Sequence, residues 1–314
     1  MSNLLKVSLV IIQYGPIDLL IKLLSSLEKH QDSTLISEVI IVNNGMSLNI
    51  KEFKYLLSSH YPVPIKIVNN PKTSYSSGVN CGVAASKEDF IIISNNDIEW
   101  LRGFSIQPLI ECLNHPKVCI SGPQLVYPDG SWQRSYGKVP SIWSALVSVM
   151  MLDAVEHILE SRSFRYNKQI ARRVEYIDGA FMVVDRRCFF SLGGFDEGFS
   201  FYGEDADFCY RAWHAGWNVL FEPKSRIIHV RGASSTNVAL DKYTQRLLDA
   251  QVRFMQKHHG NLQAKIYKFL IRWAMLERKI LYSLIAGITY CKKWRKRAEE
   301  AKERYNAIRK ETLK

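Results

Sequence analysis

The 314-residue chain lacks the glycine-rich signatures of several large enzyme classes. It contains no GxxxxGK[ST] phosphate loop and no GxGxxG fingerprint, which argues against a P-loop NTPase and a Rossmann dehydrogenase. No GxSxG elbow occurs, and the spacing of Ser, His and Asp suggests no hydrolase triad. Any catalytic chemistry therefore has to come from side chains outside these motifs.

Cysteine is scarce and irregularly spaced. The six cysteines form no CxxC pair, so a zinc site or a disulfide framework has little support, and we expect small buried side chains in a reducing compartment. The first residues, MSNLLKVSLVIIQY, lack the charged start, apolar run and cleavage site of a signal peptide. We therefore expect a cytoplasmic protein whose fold begins at once with a strand.

Long apolar runs are missing from the C-terminal region, which is strongly basic. Its longest uncharged run, at 280–290, has 11 residues, whereas a helix that spans a bilayer needs about 20. Residues 261–314 hold 15 Lys and Arg against 5 Asp and Glu, which is most of the net charge of +12. Since the main body is nearly neutral, nucleic-acid binding through the basic tail is only a remote alternative.

The tail shows a helical pattern from about Asp241, with one break at Gly260. Between residues 265 and 288 an apolar face opposes a basic face. The apolar positions are Ile266, Phe269, Leu270, Trp273, Ile280, Leu281, Leu284 and Ile288, and the basic ones are Lys265, Lys268, Arg272 and Lys279. Such a helix suits an anionic membrane surface, and packing on the main body is the alternative. Trp294, inside the basic segment 291–297, favours the membrane there.

The first half alternates apolar, β-branched runs with helical patterns, which predicts an α/β fold with a mostly parallel sheet covered on both faces. In such sheets ligands bind at the carboxyl ends of the strands. Polar groups follow three of the predicted strands: Gln13 and Tyr14, then Asn43 and Asn44, then Asn95, Asn96 and Asp97. One Asn-rich strand end alone is usually a turn, but three at the same edge indicate a site.

The segment 193–232 concentrates the chemistry. Glu204, Asp205 and Asp207 repel one another, so a fold keeps them close only with a cation, a proton or a bound substrate between them. A helix start is the simpler explanation of the charges, but it does not account for the surrounding aromatic residues. These aromatic residues are Phe195, Phe199, Phe201, Tyr202 and Phe208. We interpret the segment as a catalytic centre, and we expect Asp97 and His229 to share a Mg²⁺ or Mn²⁺ ion.

Taken together, the strand ends and the acidic segment resemble the family 2 glycosyltransferases, and more narrowly the bacterial rhamnosyltransferase-like members. The resemblance covers roughly residues 7–235, and its most specific block is GGFDEGFSFYGEDADFCYR with EPKSRIIHVRGASS downstream. It implies a GT-A fold with a catalytic domain at 1–240, in which about 1–100 bind nucleotide and about 101–240 bind acceptor. The helical, basic, amphipathic extension then occupies 241–314.

The resemblance also implies roles for single residues. Asp205 matches the catalytic base, with Glu204 beside it, and Asp97 with His229 would hold the divalent metal on the donor diphosphate. Asp178, Gly179 and Ala180 would lie near the donor sugar or the acceptor. The implied nucleotide-binding residues are Gln13, Tyr14, Asn43, Gly78, Asn80 and Asn96.

The reaction implied is an inverting transfer from a nucleotide-diphosphate sugar, with dTDP-L-rhamnose as the expected donor. Inversion needs one base for the acceptor hydroxyl and a counter-charge on the leaving diphosphate, so one carboxylate and one metal suffice. The acceptor would be a lipid-linked glycan of O-antigen-like surface polysaccharide at the inner face of the cytoplasmic membrane. Because Asn43 stands where the family usually has an acidic residue, a UDP-hexose or UDP-galactofuranose donor is the alternative.

Overall fold

The computed structural model describes residues 6–45, 63–166, 169–199, 202–232 and 239–309. Phe201 and positions 233–235 of the last family block lie outside these ranges. The described chain forms two compact units. The first unit contains the β-sheet, and the second contains the C-terminal helices.

Four parallel strands open the first unit, in the spatial order β3-β2-β1-β4. Their apolar sequences are nearly continuous because helices cover both faces of the sheet. The elements of this half are β1 (Val7–Gln13), α1 (Ile17–Glu28), β2 (Ile36–Asn43), β3 (Ile65–Asn69), α2 (Tyr75–Ala85) and β4 (Phe90–Asn95). A short 3-10 turn, Gln31–Thr34, follows α1.

The rest of the chain alternates short strands and helices before the long C-terminal helices. In chain order these elements are β5 (Ile98–Trp100), α3 (Gln107–Leu113), β6 (Val118–Val126), β7 (Tyr136–Gly137), α4 (Ile142–Val149), α5 (Leu152–Arg165), β8 (Arg172–Arg173), β9 (Tyr176–Ile177), β10 (Phe181–Asp185), α6 (Arg186–Ser191), α7 (Glu204–His214), β11 (Asn218–His229), α8 (Leu240–Thr289) and α9 (Lys292–Arg309).

Beyond β4 the sheet contains antiparallel as well as parallel strands. The complete order is β3-β2-β1-β4-β10-β6-β11-β5, with β8 paired to β11. β10 runs antiparallel to both β4 and β6, whereas β11 is parallel to β6 and antiparallel to β5. The predicted parallel sheet is therefore present, with the antiparallel strands collected in its second half. This arrangement brings the start of β10 to the carboxyl end of β4.

Two apolar clusters hold the helices on opposite faces of the sheet. On β1, Leu9 and Ile11 face α1 and α3, while Val10 and Ile12 face α2, α6 and α7. All four of these strand side chains are at most 3% exposed. Burying a side chain of this size stabilises the fold by roughly 1.5–3 kcal/mol. The alternation along β1 thus accounts for the covering of both sheet faces.

The second unit contains α4, most of α5, α8 and α9. A small apolar core joins Ala145 of α4 to Met255, Ala264 and Tyr267 of α8. The predicted helical tail with a break at Gly260 is confirmed, since Gly260 has φ 86° and ψ 167° inside α8. Residues 139–163 belong to this unit together with the tail, which the sequence did not indicate. The domain boundary at 240 stays a prediction.

In the described part of the chain, no helix taken singly combines the length and the apolar character that crossing a bilayer requires. α4 and α5 reach that length and composition only as a pair, and the chain bends by 90° between them.

Two glycines on helices provide a matched test of the sheet packing. A Cβ at Gly82 would lie 2.3 Å from Val10 Cγ1, whereas a Cβ at Gly287 would meet no atom within 4 Å. We expect Gly82→Ala to lower the free energy of unfolding by about 1–3 kcal/mol through overpacking. Gly287→Ala should raise it by up to about 1 kcal/mol through helix propensity. Chemical denaturation measures both, and equal effects at the two positions would contradict the close approach of α2 to the sheet.

Candidate active site

The ends of β1 and β4 are joined by side-chain amides. The Asn96 Nδ2 donates to the Gln13 Oε1 at 2.9 Å and to the Tyr14 carbonyl at 2.8 Å. The Gln13 Nε2 donates in turn to the Gly15 carbonyl at 3.0 Å. Gln13 and Asn96 are buried, while Tyr14 is 48% exposed. Two of the predicted nucleotide-binding residues therefore brace the strand ends, and the Tyr14 side chain is the one that solvent reaches.

A second amide network lies at the ends of β2 and β3. The Asn43 Nδ2 donates to the Asn69 Oδ1 at 3.0 Å, and the Asn70 Nδ2 donates to the Asn44 Oδ1 at 2.6 Å. Gly78, in the first turns of α2, borders this network, because a Cβ there would lie 3.5 Å from the polar atoms of Asn44 and Asn70. The structure thus places Asn43 and Gly78 at the sheet edge where the sequence predicts a nucleotide.

The side-chain amide of Asn80 binds the backbone of Phe195 and not the strand ends. Its Oδ1 accepts from the Phe195 amide at 2.8 Å, and its Nδ2 donates to the Phe195 carbonyl at 3.0 Å and to Glu197 at 3.1 Å. Glu197 also pairs with Lys72 at 2.6 Å. Both amide atoms of Asn80 therefore hold the loop that precedes α7, and its predicted role in nucleotide binding stays a prediction.

Asp97 and His229 meet because β5 and β11 are paired. His229 lies opposite Ile98 in the register, and the Val230 amide donates to the Asp97 carbonyl at 2.9 Å. The His229 Nε2 is 3.4 Å from the Asp97 Oδ1, and the two residues are 6% and 2% exposed. The two residues that the sequence predicts as metal ligands are therefore adjacent and buried, although 132 positions separate them in the sequence.

Gln133 determines which nitrogen of His229 carries a proton. Its Nε2 donates to the His229 carbonyl at 3.1 Å, which turns its Oε1 toward the His229 Nδ1 at 2.6 Å. An oxygen acceptor at this distance places a proton on Nδ1, and in the neutral imidazole the lone pair of Nε2 then faces Asp97. Sequence reasoning missed Gln133, because nothing near the hairpin at 128–130 indicates its partner.

The Asp97 Oδ1 has the environment of a cation ligand. It accepts no hydrogen bond from any of the described residues, although it is buried. A carboxylate oxygen and an imidazole lone pair at 3.4 Å repel each other unless a cation or a proton lies between them. The pair fits a divalent ion with one nitrogen and one oxygen donor, and within the described ranges no third His, Cys, Asp or Glu completes a cluster.

The start of β10 is fixed against the end of β4 and beside α7. The Asn95 amide donates to the Ala180 carbonyl at 2.9 Å, and the Gly179 amide donates to the Asp205 Oδ2 at 3.0 Å. The Asp178 Oδ1 accepts from the Ala180 amide at 3.0 Å. A Cβ at Gly179 would lie only 3.3 Å from the Asp205 Cβ, so glycine allows this close approach. The predicted Asp178-Gly179-Ala180 turn thus contacts the predicted base directly.

Four carboxylates lie close enough to Tyr75 to affect its pKa. Its hydroxyl donates to the Gly179 carbonyl at 2.6 Å. Burial raises the pKa of Tyr75 well above its usual value, and the negative charges of nearby carboxylates raise it further. These carboxylates, which we call the carboxylate cluster, are Asp97, Asp178, Glu204 and Asp205.

Burial raises the pKa values of the two adjacent acids at the start of α7. It raises the pKa of Glu204 to about 8, with a further contribution from the charge of Asp205. It raises the pKa of Asp205 to about 6, with a further contribution from the charge of Asp178. The Asp205 carboxylate is only half-buried and accepts from the Ala206 amide at 2.8 Å. Both adjacent acids therefore hold a proton to a higher pH than free carboxyl groups do.

Asp207 does not crowd Asp205 as the sequence led us to expect. Its Oδ2 accepts from the Arg211 Nε at 2.8 Å, and the same guanidinium donates to the Leu192 and Gly194 carbonyls at 2.6 and 2.7 Å. The charge that adds to burial at Asp205 is that of Asp178, which is 27 positions away. Asp207 points to its own helix partner because a spacing of four residues places the two side chains on one face.

Aromatic packing holds α7 in place. Phe208 of α7 lies 5.0 Å from Phe195 and 5.3 Å from Phe189 between ring centroids, and all three rings are buried. The acidic residues lie in the first turn of α7, so the simpler explanation of their charges as a helix start is also correct. The helix start is thus both a favourable place for negative charge and a position fixed next to Gly179.

The chain matches known proteins over most of its length. The model of glycosyl transferase family 2 matches residues 8–190, more than half of the chain, and that of glycosyl transferase family group 2 matches residues 123–293. The N-acetylglucosaminyl-diphospho-decaprenol L-rhamnosyltransferase of Mycobacterium tuberculosis is 23% identical over 280 residues, 85% of this chain and 88% of the relative. Rhamnosyltransferase WbbL of Escherichia coli K12 is 24% identical over 232 residues, with 71% and 83% covered.

Solved structures share the fold. The mannosyltransferase PcManGT from Pyrobaculum calidifontis, in complex with GDP-Man and Mn²⁺, superimposes with a TM-score of 0.62 at 13% identity. The likeness covers 99% of this chain and 88% of that one. It confirms the predicted fold class.

The raised pKa of Glu204 has a consequence for stability. An acid whose pKa is higher in the folded state contributes stability at low pH that is lost as the pH rises through the folded pKa. Between about pH 5 and 9 the wild type should therefore lose stability relative to Glu204→Gln, whose amide cannot ionise. Melting temperatures across this range measure the difference, which should vanish near pH 4.

The exposed Glu28→Gln change on α1 serves as the matched control and should follow the wild type at every pH. If the difference in melting temperature between Glu204→Gln and the wild type did not grow from pH 5 to pH 9, Glu204 would be ionised at low cost and the assignment of its raised pKa would be wrong.

Proposed function

Because the chain belongs to glycosyl transferase family 2, we propose that it is an inverting glycosyltransferase whose donor is dTDP-L-rhamnose. Two relatives that match most of the chain carry rhamnosyltransferase names, which supports this donor. The observation that carries the reaction type is the half-buried Asp205, held by the Gly179 amide within the carboxylate cluster.

Asp205 has the properties of a general base. Its carboxylate is ionised above about pH 6, and backbone amides of Gly179 and Ala206 orient both of its oxygens. The proposed step transfers the proton of the acceptor hydroxyl to Asp205 while that oxygen attacks the anomeric carbon and the bond to the diphosphate breaks. One base suffices for direct displacement, so no carboxylate has to form a covalent sugar intermediate.

Asp97 and His229 would hold a divalent metal. When bound, the ion supplies positive charge to the leaving diphosphate. The Gln133 hydrogen bond supports this assignment, because it leaves the His229 Nε2 free as a ligand on the side of Asp97. The Mn²⁺ in the structure of PcManGT supports it as well.

The proposed nucleotide region is the sheet edge at β1, β2 and β4. Tyr14, Asn43 and Gly78 would contact the nucleotide, and Gln13 and Asn96 would position the strand ends through their mutual bond. Asn80 would act by holding the loop before α7. Because the Asn43 amide can donate as well as accept, a UDP-sugar is the second candidate donor.

The acceptor would be a lipid-linked glycan at the inner face of the cytoplasmic membrane. The name of the Mycobacterium tuberculosis relative includes a diphospho-decaprenol acceptor, which supports a lipid carrier. On α8 a stripe of apolar side chains is exposed: Leu262, Ile266, Phe269, Trp273, Ile280, Leu284 and Ile288. We propose that this stripe and the basic segment 291–297 contact an anionic membrane. A role in surface polysaccharide synthesis follows from the same reasoning.

The proposed base predicts a specific kinetic profile. Asp205→Asn should lower kcat by about 10²–10⁴-fold while the shift in melting temperature caused by the donor is retained. In the wild type, kcat/KM should fall as the pH decreases through about 6. Asp178→Asn removes a neighbouring negative charge and should move this acid limb to lower pH. An acid limb that did not move, together with full activity of Asp205→Asn, would exclude Asp205 as the base.

Thermal stabilisation by ligands tests the donor and the metal together. A ligand that binds only the folded state raises the melting temperature. We expect dTDP-rhamnose with Mn²⁺ or Mg²⁺ to stabilise the wild type and EDTA to abolish the effect. Asp97→Ala should lose the metal dependence, and Gln133→Leu should weaken Mn²⁺ binding by about 10–100-fold.

The exposed Asp18→Ala change on α1 is the control and should respond like the wild type. Stabilisation by a UDP-sugar instead would keep the reaction class and replace the donor. Equal stabilisation of Asp97→Ala and the wild type by metal would rule out the metal site at Asp97.

A further inference from the structure

Helix α5 is inverted relative to an ordinary surface helix. Its large apolar side chains face solvent: Leu152, Val155, Ile158 and Leu159 are 45–59% exposed. Its acidic residues Asp153, Glu156 and Glu160 are only partly exposed, and none of the 14 residues of the helix is buried. A helix packed for solubility would place the apolar side chains inward.

The inverted arrangement is fixed by contacts within the second unit. The Arg278 guanidinium of α8 donates to both oxygens of Asp153, at 2.7 and 2.9 Å, and to the Ser148 carbonyl at 2.8 Å. These bonds hold the acidic face of α5 toward α8. At 3.6 residues per turn, positions 152, 155 and 159 share a different face, which is thereby directed to the surroundings.

Helix α4 extends the exposed apolar character before the bend. Trp143 is 70% exposed and Met150 is 65% exposed, while Ala145 packs on α8. We call the exposed apolar side chains of α4 and α5 the α4–α5 face: Trp143, Leu146, Met150, Leu152, Val155, Ile158 and Leu159. So many large apolar side chains exposed on two consecutive helices indicate an interaction surface.

Charge decides which partner fits this face. Exposed Arg162 and Arg165 end α5. An apolar helix face with basic residues beside it, and a Trp among its apolar residues, is the pattern of a helix lying in the surface of an anionic bilayer. The 90° bend makes lying in the surface, not spanning, the fitting geometry.

We propose that the α4–α5 face is a second membrane-contacting element, independent of the C-terminal stripe and specific for anionic lipid. Leu152, Val155 and Leu159 insert at the level of the acyl-chain boundary, and Arg162 and Arg165 contact headgroup phosphates. The purpose of this element rests on the proposed function, because an enzyme with a lipid-linked acceptor has to work at the bilayer surface. Two attachment elements also bind more tightly than one, since the second contact is intramolecular.

Vesicle sedimentation of the full-length chain tests the proposal. The vesicles are equal parts phosphatidylglycerol and phosphatidylcholine, or phosphatidylcholine alone. Leu159→Glu removes an inserted side chain and adds a charge that anionic lipid repels, so binding to the anionic vesicles should fall about tenfold or more. Ile21→Glu, the same kind of change at an exposed position of α1, should bind like the wild type.

A direct probe complements the loss of binding. In a Cys291→Ser background, Leu159→Cys labelled with an environment-sensitive fluorophore should brighten on adding anionic vesicles, relative to the labelled Cys291→Ser parent. No brightening, or binding of Leu159→Glu equal to the wild type, would overturn the proposal. An unchanged melting temperature and an unchanged thermal shift with the sugar nucleotide show that Leu159→Glu is folded, as expected for a helix with no buried residue.

Further outcomes separate this proposal from the others. If Phe269→Glu on α8 weakens vesicle binding and Leu159→Glu does not, the C-terminal stripe stands and the α4–α5 face is rejected. If Leu159→Glu instead converts a dimer to a monomer in light scattering without changing vesicle binding, a second copy of the chain covers this face and the proposal is wrong. Failure of dTDP-rhamnose and of UDP-sugars to stabilise the protein would contradict the proposed donor site and leave the vesicle result valid.

Discussion

The antiparallel pairing of β10 with β4 is the constraint on which the candidate site depends. Because β10 runs opposite to β4, its first residues meet the carboxyl end of the parallel sheet, where the Asn95 amide bonds the Ala180 carbonyl. That contact carries Gly179 to Asp205, and Gly179 has no side chain to keep the carboxylate away. A parallel β10 would have delivered the same turn to the opposite edge. The pairing of β11 with β5 acts in the same way for His229 and Asp97.

The site uses burial and hydrogen bonding to give similar groups different tasks. Glu204 and Asp205 are adjacent acids, yet Glu204 is buried, which raises its pKa, whereas the half-buried Asp205 is held by two backbone amides. Asp207, two positions further on, is neutralised by Arg211, whose guanidinium also holds the chain before α7. Asp97 leaves one oxygen without a donor among the described residues and opposite a histidine lone pair. Four carboxylates of one type thus serve in four different ways.

Several neighbours of the site act without touching any substrate. Gln133 sets the tautomer of His229, Asn80 clamps the loop before α7, and Asn96 links the ends of β1 and β4. In the second unit, Arg278 plays a comparable part by turning the acids of α5 inward. Each of these side chains makes bonds to two or more groups, so its loss would leave buried or partly buried polar atoms unsatisfied. Positioning and chemistry are therefore divided between different residues.

The order of strands and helices in the first half, the break at Gly260 and the polar strand ends could be read from the sequence, because periodicity and turn chemistry are local properties. The proximity of Gln133, Asp97 and His229 could not, since strand pairing decides which distant residues meet and no local pattern encodes it. The sequence also did not show which charge raises the pKa of Asp205. It is the charge of Asp178 and not that of the nearby Asp207, because the helix directs Asp207 toward Arg211. The sequence did not indicate which side of α5 faces outward, because the contact of Arg278 with Asp153 decides it. Local sequence determined the elements and their chemistry, and tertiary pairing decided which of them act together, since contact energies depend on distance in space and not along the chain.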